Sequence, residues 1–353
     1  MGLHWTDLPE AVVATLRKGV VIPAHPLALT PEKTLDERRQ RALSRYYIDA
    51  GSCGLAVGAH TTQFEIREAG LYERVLGLAA ETIEAWTDRP FVRIAGLVGK
   101  TGQAVREAQT ARSLGYHAGL LSLAAFKGAS EDEVVEHSAR VAEEVPLIGF
   151  YLQPAVGGRS LPASFWRRFA AIENVIAIKM APFNRYKTLD VVRGVVEAGA
   201  EDRITLYTGN DDHIVLDLLV PFAVKRGGGE IQVRIKGGLL GHWSVWVRPA
   251  VELLDRVHTA VEADAVDAGL LAMDSKITDC NSAFFDVAND FKGCIAGCHE
   301  VLRRQGLMEN IACLNPAETL GPGQMEEIDR VYAAYPELND DDFVKRNLER
   351  WLS

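Results

Sequence analysis

The sequence predicts an α/β fold, a (β/α)8 barrel that carries a C-terminal helical subdomain. Three observations support this. Between residues 19 and 250, short apolar runs alternate with longer amphipathic ones, the pattern of strands interleaved with helices. Eight such runs over that span suit a barrel, whose usual length is about 250 residues. The turn after the first run, Ile22-Pro23-Ala24-His25-Pro26, lacks the Gly-rich phosphate loop expected of an open doubly wound sheet.

In chain order, the expected strands are Gly19–Pro26, Cys53–His60, Val92–Gly99, His117–Leu123, Leu147–Pro154, Val175–Pro182, Ile204–Gly209 and Ile231–His242. Several end in Gly or Pro, as suits a chain leaving a parallel sheet. Amphipathic stretches near 34–50, 66–87, 102–114, 130–144, 162–172, 185–198 and 213–219 supply the helices. Thr34, ahead of Asp36-Glu37, and Ser130, ahead of Glu131-Asp132-Glu133, are the expected N-caps of two of them. The run Lys225 to Glu230, with three consecutive glycines, reads as a turn or loop inserted before the eighth strand. Beyond residue 250 the pattern is helical to the end, which divides the chain into a barrel at 1–250, with a short helical lead-in, and a helical subdomain at 251–353. Asn339-Asp340-Asp341-Asp342 would cap a terminal helix ending near Trp351.

Composition narrows the function. A formal net charge of -10 with no basic stripe argues against a nucleic-acid partner. No apolar run approaches the roughly 18 residues of a membrane span, and Asp7 and Glu10 do not suit a secretory signal. Five cysteines are too few for a disulfide framework in a chain of 353 residues, so a cytoplasmic location is expected. Cys294 and Cys298 lie one helical turn apart without a partner pair at zinc spacing, and read as buried structural thiols.

Chemistry is expected at the carboxyl ends of the barrel strands. Lys179 stands there inside an apolar run, Val175-Ile176-Ala177-Ile178-Lys179-Met180-Ala181. An ammonium so placed must be paired, deprotonated or aimed into a wet cavity, and a neutral amine can attack a carbonyl. The bland alternative is a lysine that snorkels from a strand end or pairs with a carboxylate. Tyr151 falls near the end of strand five, one βα unit earlier, where a phenol beside the amine would exchange protons. Taken alone, such a tyrosine reads as a core aromatic.

Three segments carry a resemblance: Tyr151-Leu152-Gln153-Pro154-Ala155-Val156-Gly157-Gly158, Ala177-Ile178-Lys179 and Thr208-Gly209-Asn210-Asp211-Asp212. They are similar to motifs of strands five, six and seven in the dihydrodipicolinate synthase and N-acetylneuraminate lyase family of class I aldolases. The tail segments Phe291-Lys292-Gly293-Cys294 and Leu314-Asn315-Pro316 sit where that family has its helical C-terminal subdomain. The resemblance implies a Schiff base between Lys179 and a 2-oxo acid such as pyruvate. Tyr151 would shuttle protons, and no metal or organic cofactor would be needed. It further implies that Gly209, Asp211 and Gly238 contact substrate, and that the molecule is a homodimer or homotetramer.

Two departures change the expected pocket. Strand two reads Gly58-Ala59-His60-Thr61-Thr62-Gln63 where the family has hydroxyls followed by glutamate. Either Thr61 and Thr62 hold the substrate carboxylate from a shifted loop, or His60 does, or His60 is a structural strand-end residue. After strand four, Leu123-Ala124-Ala125-Phe126 lacks the tyrosine by which the synthase branch relays protons, which argues against lysine-pathway synthase activity. Arg159 follows the strand-five proline later than in that branch. His25 and His242, at the ends of strands one and eight, are candidate substrate contacts or structural residues, and Trp243 and Trp246 are expected between barrel and tail. A metal-dependent barrel using His25, His60, His213 or Asp211, and a barrel that binds a 2-oxo acid without turnover, are the competing readings.

Overall fold

The computed structural model describes residues 2–353. Eight parallel strands form the barrel: β1 (Val21–Pro23), β2 (Gly54–Val57), β3 (Val92–Leu97), β4 (Ala118–Leu121), β5 (Leu147–Leu152), β6 (Val175–Ala181), β7 (Thr205–Thr208) and, after a hairpin of β8 (Phe222–Arg226) and β9 (Gly229–Val233), β10 (Ile235–Leu240). They run in the order β1-β10-β7-β6-β5-β4-β3-β2. A parallel bridge between Ala24 and Ala56, with the His25 N–H on the Ala56 carbonyl at 2.8 Å, closes the ring. The barrel expected from the sequence is therefore present.

Around it lie α1 (Glu10–Lys18), α2 (Glu37–Ala50), α3 (Tyr72–Trp86), α4 (Thr101–Ser113), α5 (Glu131–Ala142), α6 (Ala163–Ala170), α7 (Arg185–Glu197), α8 (Ile214–Leu219) and α9 (Val247–Glu262). Helix α1 plugs the amino end of the barrel, where Leu8, Val12 and Leu16 join its interior and the Tyr207 hydroxyl donates to the Leu16 carbonyl at 2.8 Å. Helix α9 packs against β1, α2 and α8, the place of an eighth barrel helix. The division at 250 drawn from the sequence falls inside it. The tail continues with α10 (Ala268–Phe284), α11 (Cys294–Arg304), α12 (Gln324–Ala334) and α13 (Asp341–Leu352).

Local chemistry explains most boundaries. Ser130 forms a reciprocal cap with Glu133 at the start of α5, as expected. Helix α2 is capped by Asp36, whose carboxylate accepts the Arg39 N–H at 3.0 Å, and not by Thr34, whose hydroxyl bonds to that of Thr30. The eighth strand differs from expectation too. The run from Ile231 splits, because Gly227 and Gly228 both adopt positive φ and turn a two-residue hairpin that pairs β8 with β9. Only β10 joins the barrel.

Strand alternation sorts the core into two regions. Ile148, Phe150 and Leu152 of β5 fill the barrel interior, whereas Leu147 and Tyr151 face the helix layer with Trp166 and Phe169. In β6 a register shift at Ile176 sets Ala177, Lys179 and Ala181 to the inside, opposite Ile148, Phe150 and Leu152. This register decides the site.

Candidate active site

The carboxyl end of the barrel holds a cavity that opens to solvent. Barrel residues His60, Thr61, Phe150, Lys179, Gly209 and Asp211 line its base, and Phe285, Phe291, Cys294, Ile295 and Cys298 of the tail close one side. The sequence placed a helical subdomain here, and Cys294 and Cys298, one turn apart at the start of α11, share the face that meets the cavity. Phe285 and Phe291, in contrast, lie outside helices and carry no periodic mark.

Lys179 is 7% exposed, and its stem passes through the barrel interior. Its Nζ lies 4.4 Å from the centroid of the Phe150 ring, and no hydrogen bond or ion pair within 4.0 Å engages it among the described residues. Burial drives the amine below the ordinary lysine range, while the nearby Asp211 charge opposes that fall. Gly209 makes room for this side chain. A Cβ there would meet Lys179 Cε at 2.7 Å and Ala181 Cβ at 2.9 Å, so a glycine is required for packing against the lysine stem.

Asp211 follows a clamp at the end of β7. The Asn210 carboxamide accepts the Phe183 N–H at 3.0 Å and donates to Thr188 at 3.0 Å and Asp217 at 2.9 Å, and its backbone N–H reaches Thr208 at 3.1 Å. With that neighbour fixed, Asp211 turns into the cavity. Its Oδ1 accepts the His242 backbone N–H at 2.9 Å, and burial raises the carboxyl above the ordinary aspartate range.

His60 and Thr61 open a short turn after β2 and both reach the cavity. Burial first, and then the Lys179 charge, lower His60 to about 4, so its imidazole is neutral near pH 7. Thr62 does not reach the cavity. Its hydroxyl donates to the His25 carbonyl at 2.6 Å and accepts the Gly58 N–H at 2.9 Å, which holds the turn. Gln63 ties the same turn to the tail by accepting the Leu314 N–H at 2.7 Å.

Tyr151 is the main correction to the sequence reading. Phe150, not Tyr151, stands opposite Lys179, and the phenol next in sequence therefore points outward. Its hydroxyl donates to the Leu161 carbonyl at 3.2 Å and accepts the Leu161 N–H at 3.1 Å, and its ring packs on Trp166. Gly238 is likewise away from the cavity. It pairs with Val21 and Thr208 within the sheet, and a Cβ would strike the Trp243 ring at 2.3 Å. Two further candidates are held behind the site: His25 lies between the Pro26 carbonyl and the Ser44 hydroxyl, both at 2.8 Å, and Arg159 binds the carbonyls of Phe126 and Ala129. The His242 ring, lowered to about 4 by burial, faces Asn281 and Phe284, while Trp246 packs on Phe284 and Tyr332 between barrel and tail. Among the described residues no group of three or more His, Cys, Asp or Glu side chains is arranged to hold a metal ion.

Known proteins resemble this architecture. The 4-hydroxy-tetrahydrodipicolinate synthase of Moorella thermoacetica is 26% identical over 216 residues, which cover 61% of this chain and 70% of that enzyme. The enzyme of the same name from Persephonella marina is 24% identical over 187 residues, covering 50% and 62%. Among solved structures, YagE of Escherichia coli, a prophage protein of the dihydrodipicolinic acid synthase family in complex with pyruvate, superposes with a TM-score of 0.71 at 20% identity. That match covers 90% of this chain and 97% of YagE. CdNal of Clostridium difficile, in complex with mannosamine, gives 0.70 at 16% identity, covering 90% and 99%. At such identities these structures share the fold. Residues 18–222 match the profile of the dihydrodipicolinate synthetase family, and the chain belongs to that family.

Proposed function

We propose that the protein is a class I aldolase or lyase that binds a 2-oxo acid as a Schiff base on Lys179. One observation carries the reading: a buried amine, depressed by its surroundings and free of any hydrogen bond or ion pair among the described residues, at the base of the barrel-mouth cavity. A lysine held only for structure would be paired or would reach solvent. Family membership and the pyruvate complex of YagE support pyruvate, or a substrate that yields it, as the 2-oxo acid.

The neutral amine attacks the ketone, the carbonyl oxygen takes a proton, and loss of water leaves a protonated imine. That cation accepts the electron pair of a neighbouring carbon–carbon bond as it breaks, or yields the enamine that forms one. Thr61 and His60, polar residues of the cavity lining, would hold the carboxylate. The outer wall of Phe183, Phe285, Phe291 and Ile295 suits an apolar partner fragment better than a polyhydroxylated one. The absence of a tyrosine in Leu123-Ala124-Ala125-Phe126 speaks against the lysine-pathway reaction. A cytoplasmic location agrees with five free thiols and with the lack, among the described residues, of a helix long and apolar enough to cross a membrane.

Borohydride reduction in the presence of pyruvate and longer 2-oxo acids tests the assignment. The expected result is an irreversible adduct on Lys179, located by peptide mass, with loss of activity. An unmodified Lys179 under all of these acids rejects it. The outward-facing Tyr151 favours a second reading, a barrel that forms the adduct but does not turn it over. Adduct formation without aldehyde release or carbon–carbon bond exchange would select it.

A further inference from the structure

Imine chemistry needs a group that gives and takes protons at the substrate, and Tyr151 is turned away from the cavity. We propose that Asp211 is the catalytic acid and base of this site, an inference that rests on the Schiff-base reading of Lys179.

Geometry isolates Asp211 from the other candidates. It is 4% exposed, lines the same cavity as Lys179, and is aimed there by the Asn210 clamp. One carboxyl oxygen is held by the His242 N–H, and the other has no hydrogen-bond partner among the described residues. It forms no ion pair with Lys179 within 4.0 Å. An ion pair would lock both groups in their charged states, whereas here both line one cavity without closing on each other. The titratable groups around Asp211 are Lys179 from β6, Asp212 beside it, His60 from the β2 turn, the His242 ring after β10, and Cys294 and Cys298 from α11. Burial raises both thiols, so neither supplies a base near neutral pH, and it lowers both imidazoles to about 4, so neither supplies a proton. Burial raises the Asp212 carboxyl too, but Asp212 does not line the cavity. The Asp211 carboxyl, raised by burial and lining the cavity, is the group that exchanges a proton with substrate.

The cycle balances with one carboxyl. Attack by the neutral Lys179 amine moves its proton to the former carbonyl oxygen and gives a carbinolamine. Protonated Asp211 gives its proton to that hydroxyl, which leaves as water, and the carboxylate then faces the iminium cation. The carboxylate removes a proton from the adjacent carbon of the bound 2-oxo acid, which forms the neutral enamine and restores the acid. As the enamine attacks an aldehyde, that acid protonates the developing alkoxide. In the cleavage direction the carboxylate takes the proton from the same hydroxyl.

Exchange of the pyruvate methyl hydrogens in D2O, followed by NMR, reads the enamine step without knowledge of the second substrate. Borohydride trapping on the same samples reads imine formation. Asp211→Asn is expected to slow exchange by about 10²-fold or more while still trapping pyruvate on long incubation, though more slowly because water loss also uses this carboxyl, and Asp211→Glu is expected to recover part of both rates. In the unaltered protein, exchange is expected to fall as the pH drops through a midpoint well above the ordinary aspartate range, because the base is lost on protonation. Exchange in a folded Asp211→Asn variant at the unaltered rate overturns the proposal. So does an acid limb at the ordinary carboxylate value, which decides the matter even if Asp211→Asn fails to fold. A protein that traps neither pyruvate nor the longer 2-oxo acids rejects the Schiff-base reading itself, a result distinct from trapping with unimpaired exchange.

Discussion

Two pairings of a basic with an acidic side chain, both largely shielded from solvent, sit at the mouth of the same barrel and are built in opposite ways. Arg67 meets Glu107 through two bonds of 3.0 Å, and also donates to the carbonyls of Gly58 at 3.0 Å and Gly96 at 2.8 Å. Glu107 in turn accepts from Val98 at 3.0 Å and Gln103 at 2.8 Å. Almost all the hydrogen-bonding capacity of this pair is used to fasten the ends of β2 and β3 to α4. Lys179 and Asp211 are as deeply placed, yet among the described residues the amine has no hydrogen-bond or ion-pair partner and the carboxyl has one. A satisfied pair offsets its desolvation and holds structure; an open pair keeps its desolvation unrelieved, and its protonation states stay close in energy. That difference, rather than burial alone, separates the proposed nucleophile from a structural cation.

The comparison breaks most sharply at Lys179 itself. Lys179→Met is expected to abolish adduct formation and turnover entirely, while the thermal midpoint stays the same or rises, because an apolar chain of similar length replaces an uncompensated buried amine. Paired calorimetry and trapping check both halves. A large fall in thermal stability would mean that the lysine is structural after all.

Arg67→Ala is expected to do the reverse. Removing one member of the satisfied pair leaves Glu107 buried without its counter-charge, at a cost of about 3–5 kcal/mol in denaturant unfolding. Trapping by the fraction that stays folded should keep its dependence on pH. Gly209→Ala comes next in size. The added methyl would push the lysine stem by a few tenths of an ångström or more, and misplacement on that scale lowers turnover by about 10²-fold with little effect on unfolding. Retention of full activity would show that the stem has room to yield.

Much of the fold was legible because strand–helix alternation and turn glycines leave strong periodic marks. The hairpin was not, since Ile231–His242 reads as one continuous run and only pairing reveals that Val233 and Ile235 belong to different sheets. At the site, Lys179 stood out because a charge in an apolar strand is costly wherever it points. Tyr151 was misplaced for a related reason: motif spacing fixes distance along the chain, but the face of a strand depends on register, and the shift at Ile176 sets Phe150 opposite the lysine. Alternation within β5 already held the clue, since Ile148, Phe150 and Leu152 share a face that Tyr151 does not. The partner of Asp211, the His242 backbone N–H, lies 31 residues away and reaches it only after the barrel closes.

Tyr151→Phe gives the smallest expected effect and the most direct check of that register. The hydroxyl both donates to and accepts from the Leu161 backbone, so its loss leaves a buried carbonyl and N–H unsatisfied. Unfolding should become easier by about 1–3 kcal/mol. Methyl exchange and trapping should be unchanged, because nothing in the cavity has altered. A phenylalanine variant that keeps its stability but loses exchange would place the phenol beside Lys179. It would then return the proton-carrying role to the tyrosine and leave Asp211 as a contact for substrate.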